Sequence, residues 1–320
     1  METFTSKSDF LRRCFGDLRF SRCENNVAVE CPSCGDKTQK KKFSININSW
    51  KCHCWVCGIK GKNLSRILFD HVSKDLSREY CSRFLIDFDT SEKIVEAKEE
   101  KISLPEEFIP ITDVIRSKDP DIRSCIRYLF SRDVSERDMW MYKLGIATSG
   151  KFRRRIIMPS FDECGELNYF SARAIDDSRY KYINSKNKKI DIVFNEINID
   201  WKEELVIVEG PFDLLKAGFN STCLLGSSLS PSSLLFKKVV SFQTPIILAL
   251  DSDMDKKTRK IADLLQDYSC QVRIIDIGKF NDVGEMSKND FLKIKKEAYA
   301  WSRGTSLIKK IGAIETESIF

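Results

Sequence analysis

The sequence predicts an α/β chain: a small cysteine-rich N-terminal module, a charged linker, a basic segment, and a larger domain built on a parallel sheet. Three observations predict this. Two Cys-x-x-Cys pairs, Cys31-Pro-Ser-Cys34 and Cys54-Trp-Val-Cys57, lie close together near the N-terminus. From Leu205 onward, short apolar runs alternate with amphipathic segments, the pattern of βαβ units. Acidic residues stand where those apolar runs end.

The chain has 320 residues, enough for two modest domains. Hydrophobic residues make up 42% and aromatics 11%, enough to build a packed core. The longest apolar stretches, such as Pro245 to Leu250, are too short to cross a bilayer. The N-terminus METFTSKSDFLRRCF has no apolar signal core. The expectation is a soluble cytoplasmic protein, in the host cytoplasm if the chain is viral, with no membrane partner. Twelve cysteines in such a compartment are expected to be metal ligands and buried apolar fillers, not disulfides. The net charge of +6 says less than its distribution. From Lys37 to Lys62 there are seven lysines and no acid, and from Lys151 to Lys189 ten Lys/Arg against five Asp/Glu. Asp87 to Lys101 holds six acids and three lysines. Two basic patches around an acidic connector suit nucleic-acid contact, although either patch alone reads as a solvated face.

Along the chain, residues 1–30 read as mainly helical, with Phe10, Leu11, Cys14, Phe15 and Leu18 at helical spacing. Asn63 to Phe69 reads as a helix start with Asn63 as cap. The segment 87–105 reads as a linker or exposed helix. RRIIMPSF and LNYFSARAI read as strands around a turn at Glu163–Glu166. Then come strand LVIVE, helix PFDLLKAGF, strand TCLLG, helix SPSSLLFKKVV, strand PIILALD, helix KKTRKIADLLQDY and strand VRIID. The lysine-rich tail beyond Met286 reads as helical.

The two cysteine pairs are nineteen residues apart, the zinc-ribbon spacing. Two residues between cysteines form a tight knuckle that aims both sulfurs at one ion, and a hairpin returns the second knuckle. Gly35 and Gly58 follow the knuckles, where the backbone must turn. Four thiolates leave no open position, so the expected zinc is structural. Cys52 and His53 compete with Cys54 for the fourth ligand position. Trp50 and Trp55, set among lysines, are candidates for stacking on single-stranded DNA. Equally, each could simply cover the ribbon's small core.

Glu209 ends one apolar run, Asp251 and Asp253 end another, and Asp282 and Glu285 follow the run ending near Asp276. Carboxyl ends of parallel strands are where α/β sheets build sites. Carboxylates crowded there repel unless a cation sits among them, and hard oxygen ligands suit Mg²⁺ or Mn²⁺. Individually the acids are unremarkable: Asp213 fits a helix first turn and Asp255 a helix cap. The combination of Glu-Gly after one strand and Asp-x-Asp after a later one is more specific.

Together these segments resemble a known family. Glu209-Gly210-Pro211-Phe212-Asp213, Leu250-Asp251-Ser252-Asp253 and Asp282-Val283-Gly284-Glu285-Met286 resemble the three motifs of a Toprim domain. Phe152-Arg153-Arg154-Arg155-Ile156-Ile157-Met158-Pro159, Ser171-Ala172-Arg173 and Lys181-Tyr182-Ile183-Asn184-Ser185 resemble the basic motifs of DnaG-type DNA primases, and CHCWVCGIKG resembles their second zinc knuckle. In outline the resemblance covers residues 25–290, and the size resembles short T-even-like bacteriophage primases. It implies a zinc-binding domain at 1–86, a linker at 87–105, a basic N-terminal subdomain of an RNA polymerase core at 106–202, a Toprim domain at 203–285 and a helical tail at 286–320. It implies catalytic Glu209, Asp251 and Asp253, with magnesium or manganese held by Glu209, Asp213, Asp251, Asp253 and Asp282. Arg153, Arg155, Arg173, Lys181 and Tyr182 would contact nucleotide or template. The implied activity is synthesis of short RNA primers on single-stranded DNA from ribonucleoside triphosphates, by two-metal nucleotidyl transfer. No GxxxxGK[ST] loop occurs, so the expected helicase is a separate protein of a primosome. Gly284 stands where asparagine is common, which puts the role of Glu285 in doubt, and Asp-Ser-Asp stands where Asp-Gly-Asp is usual. The alternatives are a Toprim nuclease, a recombination-associated zinc protein that binds single strands, and, with little room in this length, a topoisomerase.

Overall fold

The computed structural model describes residues 4–21, 24–35, 41–85, 102–226, 228–278 and 280–302. The expected linker falls mostly outside them, as do Lys37, Lys40 and the end of the tail. The chain divides into two compact units. The first is Met1–Thr90 with Lys237–Thr244 and Ala262–Gln271; the second is Ser91–Phe236 with Pro245–Ile261 and Val272–Phe320.

In the first unit, α1 (Phe4–Phe15) buries Phe10 and Leu11. An antiparallel sheet follows, its strands in sequential order: β1 (Arg19–Phe20), β2 (Asn26–Val29), β3 (Phe43–Asn46), β4 (Cys52–Cys54) and β5 (Lys60–Gly61). The mainly helical reading of residues 1–30 is thereby corrected. Helical spacing ran only through the first part, whereas Asn-Val-Ala-Val at 26–29 alternates half-buried and buried residues, the signature of a strand. The sheet leads into α2 (Ser65–His71) and α3 (Lys74–Tyr80). Asn63 does accept a hydrogen bond from the Ser65 amide at 3.0 Å, but the regular helix begins only at Ser65.

The second unit holds two sheets. The antiparallel one has the order β10-β9-β8-β7-β6. Its β6 (Ile109–Pro110) is followed by α4 (Ile111–Val114), α5 (Pro120–Ser131), α6 (Glu136–Met141) and β7 (Gly145–Ile146). The expected hairpin is present as β8 (Arg155–Phe161) and β9 (Leu167–Ala174). Its turn is closed by the Asp162 carboxylate, which accepts from the Cys164 and Glu166 amides, each at 2.9 Å. β10 (Tyr182–Asn184) completes the sheet.

Next come β11 (Leu205–Val208), α7 (Pro211–Ala217), β12 (Ser221–Cys223), α8 (Leu234–Phe242), β13 (Ile246–Ala249), α9 (Asp255–Asp267) and β14 (Val272–Ile274). The strand order is β12-β11-β13-β14, all parallel. Every residue of β11 and β13 is buried, which is why both read as unbroken apolar runs. The tail forms α10 (Lys288–Lys296) as expected. It then adds an antiparallel edge strand, β15 (Tyr299–Ala300), that the helical reading missed. One apolar core runs from Ile156, Met158 and Tyr169 of the antiparallel sheet to Val206, Val208 and Ile247 of the parallel one. Among the described residues no helix is long and apolar enough to cross a membrane.

Candidate functional site

In the first unit, the sulfurs of Cys31, Cys34, Cys54 and Cys57 lie within 4.8 Å of one another. Cys31 and Cys57 are 3.8 Å apart, Cys34 and Cys54 3.9 Å. Tetrahedral zinc with Zn–S bonds of about 2.3 Å requires sulfurs about 3.8 Å apart, so the donor set fits. Gly35 and Gly58 have φ of +55° and +75° and return their amides to the carbonyls of Cys31 and Cys54. Burial opposes ionisation of Cys54, but the Cys57 and Val56 amides outweigh it and bring this thiol down to about 7. Of the three competitors for the fourth position, it is Cys54 whose sulfur joins the cluster. The Cys52 thiol is buried against the carbonyls of Gly61 and Asn63, and His53 lies outside the cluster.

The two tryptophans part company. Trp50 is 4% exposed and packs against Tyr80 and Phe84, with ring centroids 5.1 and 5.2 Å away. Its faces are taken by protein, so stacking on DNA is not open to it. Trp55 is 74% exposed, with the edge of His53 against it.

In the second unit, the chain leaves β11 for β12 on one side and returns to β13 on the other. The carboxyl ends of β11 and β13 therefore form a topological switch point, where open α/β sheets leave a crevice. Glu209 follows β11, and Asp251 follows β13. Asp253 is exposed in the next turn. Asp282 caps the turn after β14, its Oδ1 accepting from the Glu285 amide at 2.8 Å. Burial, then the charge of Asp253, raises Glu209 above the usual carboxylate range. Burial, then Asp213, Glu209 and Asp282, pushes Asp251 up to about 8. Asp251 Oδ1 is buried with no hydrogen-bond partner. An orphaned carboxylate oxygen among acids whose proton affinity is raised fits a divalent cation.

Glu209, Asp213, Asp251 and Asp282 share a cleft of about 330 Å³ with cations of the antiparallel sheet, Arg173, Lys181 and Lys189, whereas Asp253 does not line it. Strand register explains the selection. Arg173 pairs with Tyr182 and Ser171 with Asn184, so all four stand on one sheet face and line the cleft. Arg155 pairs with Ala174, one residue out of step, and so faces the other side. Arg155 is 5% exposed, and its guanidinium donates to the carbonyls of Ala172 and Lys181 and to Ser178. Arg153 donates to Asp121 at 2.7 Å outside the cleft. Of the arginines expected at the nucleotide, Arg153 and Arg155 therefore do not line the cleft. Arg173 donates to the Tyr182 hydroxyl at 2.6 Å and lies over the rings of Tyr182 and Phe212. Phe212 opens α7, so the cation is fixed to the helix that follows Glu209. Glu285 turns away and accepts from Asn281. Lys189, Ser171 and Asn184, named in the sequence only as parts of a basic patch and of motifs, were not assigned to the site. Lys189 donates to the Leu225 carbonyl at 2.6 Å at the cleft wall. The available signals were the i, i+2 spacing of polar residues in β9 and β10 and the basic run ending at Lys189.

No family model matches the chain. Curated DNA primases do. That of Thermotoga maritima is 30% identical over 154 residues, covering 44% of this chain and 27% of the primase. That of Clostridium acetobutylicum is 26% identical over 203 residues, covering 56% and 33%. The match to the Deinococcus radiodurans primase covers 76% of this chain at 24% identity. The chain thus spans between about a quarter and a half of the length of these relatives. Among solved structures, the zinc-binding and RNA polymerase domains of Aquifex aeolicus primase superpose with a TM-score of 0.50 at 20% identity, over 97% of this chain and 87% of that one. The chain is thus similar in sequence to parts of curated DNA primases, and its fold is that of the zinc-binding and RNA polymerase domains of the Aquifex aeolicus primase.

Proposed function

We propose that this chain is a DNA primase, a DNA-directed RNA polymerase that makes short RNA primers on single-stranded DNA. The observation that carries the reading is the single cleft in which Arg173, Lys181 and Lys189 face Glu209, Asp251 and Asp282. A ribonucleoside triphosphate needs both sides: fixed cations for its oxygens and carboxylates for its metals. Glu209, Asp251, Asp253 and Asp282 would hold magnesium or manganese, which offsets charge developing on the transferring phosphoryl group when bound. Lys181, at the cleft wall, orients the triphosphate. Arg173 is pinned by Tyr182 and presents its charge without reorganising. Trp55 supplies a stacking platform for the template. A separate replicative helicase is the further partner we propose.

The test is incubation of the full chain with ribonucleotides, Mg²⁺ and defined single-stranded templates. Short, template-dependent RNA is expected. Shortened DNA would indicate a nuclease instead, and binding without either product a single-strand-binding protein. Two variants refine it. Lys181→Ala is expected to raise the KM for ribonucleotides roughly tenfold, the worth of about 1.4 kcal/mol, with zinc content unchanged. Unchanged KM would leave Lys181 as an ordinary surface cation. Trp55→Ala is expected to weaken single-strand binding by about 1–3 kcal/mol, read by fluorescence anisotropy. Unaltered affinity would remove Trp55 from the template path.

A further inference from the structure

Asp213 resembles a metal ligand by motif, yet its surroundings differ from those of its neighbours. Its Oδ2 accepts from the Gly210 amide at 2.9 Å, and its Oδ1 from the Gly284 amide at 3.1 Å. Gly210 directly follows Glu209, and Gly284 lies two residues after Asp282. One carboxylate therefore joins two acidic segments that are far apart in sequence. Asp251 is the contrast, since its buried Oδ1 has no partner. A cation gains most at the unsatisfied oxygen, while both Asp213 oxygens already take charge-assisted bonds from backbone. Gly284 completes the arrangement. A β-carbon there would lie 2.9 Å from Asp213 Oδ1, closer than packed atoms tolerate, and 3.2 Å from Asp282 Oδ1, a tight contact.

We infer that Asp213 is a positioning residue, a latch whose two oxygens hold Gly210 and Gly284, and that position 284 is glycine so that the latch can close. This rests on the reading of the acidic cluster as the metal site proposed above. The latch fixes the distance between Glu209 and Asp282. Through Phe212, the neighbour of Asp213 under the Arg173 guanidinium, it also sets the cation against the acids. Asparagine at 213 keeps one acceptor and replaces the other by a donor facing an N–H, so one strap opens. Alanine at 284 removes no carboxylate but pushes the strap apart.

The experiment counts Mn²⁺ bound by the full-length chain, by electron paramagnetic resonance of free Mn²⁺, for wild type, Asp213→Asn, Gly284→Ala and Asp251→Asn. Asp213→Asn and Gly284→Ala are expected to keep the wild-type number of bound ions with affinity roughly ten- to a hundredfold weaker, the usual effect of loosening a group that orients a ligand. Asp251→Asn is expected to lose an ion. In primer synthesis, the first two should lower kcat with little change in the KM for ribonucleotides. The latch is overturned if Asp213→Asn loses an ion, or if Gly284→Ala binds Mn²⁺ with wild-type affinity. Should Asp213→Asn fail to fold, Gly284→Ala decides alone, by the same affinity criterion. A wild-type chain that binds no Mn²⁺ also overturns it. A wild-type chain that binds Mn²⁺ but makes no RNA refutes the primase reading and leaves the latch to the metal counts.

Discussion

Replacing Asp251 by asparagine is expected to abolish primer synthesis, by more than about a thousandfold, while the chain stays folded. Asparagine keeps the shape of the side chain but removes the charge at the one oxygen of the cluster that is buried and unpartnered. Losing a direct metal contact removes several kcal/mol of transition-state stabilisation, and about 1.4 kcal/mol corresponds to each factor of ten. Stability should move the other way. The carboxyl of Asp251 is pushed up to about 8 in the folded chain, against about 3.9 when unfolded. The folded state therefore binds the proton more tightly. Its stabilising contribution is complete below the ordinary carboxylate range and is lost as pH rises through about 8. Metal-free wild type should lose melting temperature over that window, and Asp251→Asn should lose less and melt at the same temperature or higher. Added Mg²⁺ should raise the melting temperature of wild type more than that of the variant. Near wild-type extension by Asp251→Asn in Mg²⁺, or its outright unfolding, would sink the assignment.

The second large effect concerns zinc. One ion per chain is expected by elemental analysis, and none in a Cys34→Ser/Cys57→Ser double variant. Such modules draw apparent binding free energies on the order of 10–16 kcal/mol from the metal, more than a small sheet supplies by burial. The double variant should therefore show rapid proteolysis within residues 24–61 and loss of template binding. The second unit has its own apolar core and should stay folded. Full zinc retention in the double variant would overturn the ligand set.

What the sequence made legible was local. The Cys-x-x-Cys knuckles are local, four-residue patterns, so spacing alone pointed to Cys31, Cys34 and Cys57 and to the corner that holds the fourth candidate ligand. Choosing Cys54 over Cys52 and His53 needed coordinates, since only the fold turns Cys52 towards Gly61 and Asn63. Glu209 and Asp251 were legible because buried parallel strands read as apolar runs whose ends are visible. What failed was anything set by register or distant packing. Arg155 and Arg173 look alike in a basic run, but their pairing with Ala174 and Ile156 sends them to opposite faces of one sheet. Trp50 looks like a stacking residue until Tyr80 and Phe84, some thirty residues on, close over it. Lys189 was legible only as the end of a basic run, because its place at the cleft wall depends on a distant carbonyl, that of Leu225.

The short strand at the end of the described chain has a consequence of its own. β14 would otherwise be the border of the parallel sheet, a row of open amides and carbonyls able to template pairing with another molecule. β15 covers it in antiparallel register, Trp301 is buried beside it, and the Trp301 amide bonds to the Val272 carbonyl at 2.8 Å. Arg273 fastens the cover from below through the carbonyls of Lys295 and Ala298. A chain cut after Met286 would keep every acid of the cleft and still expose this border. Self-association is expected of such a cut, because a bare sheet margin recruits strands from its neighbours, and it would also strip the buried Phe291 of α10 from the core.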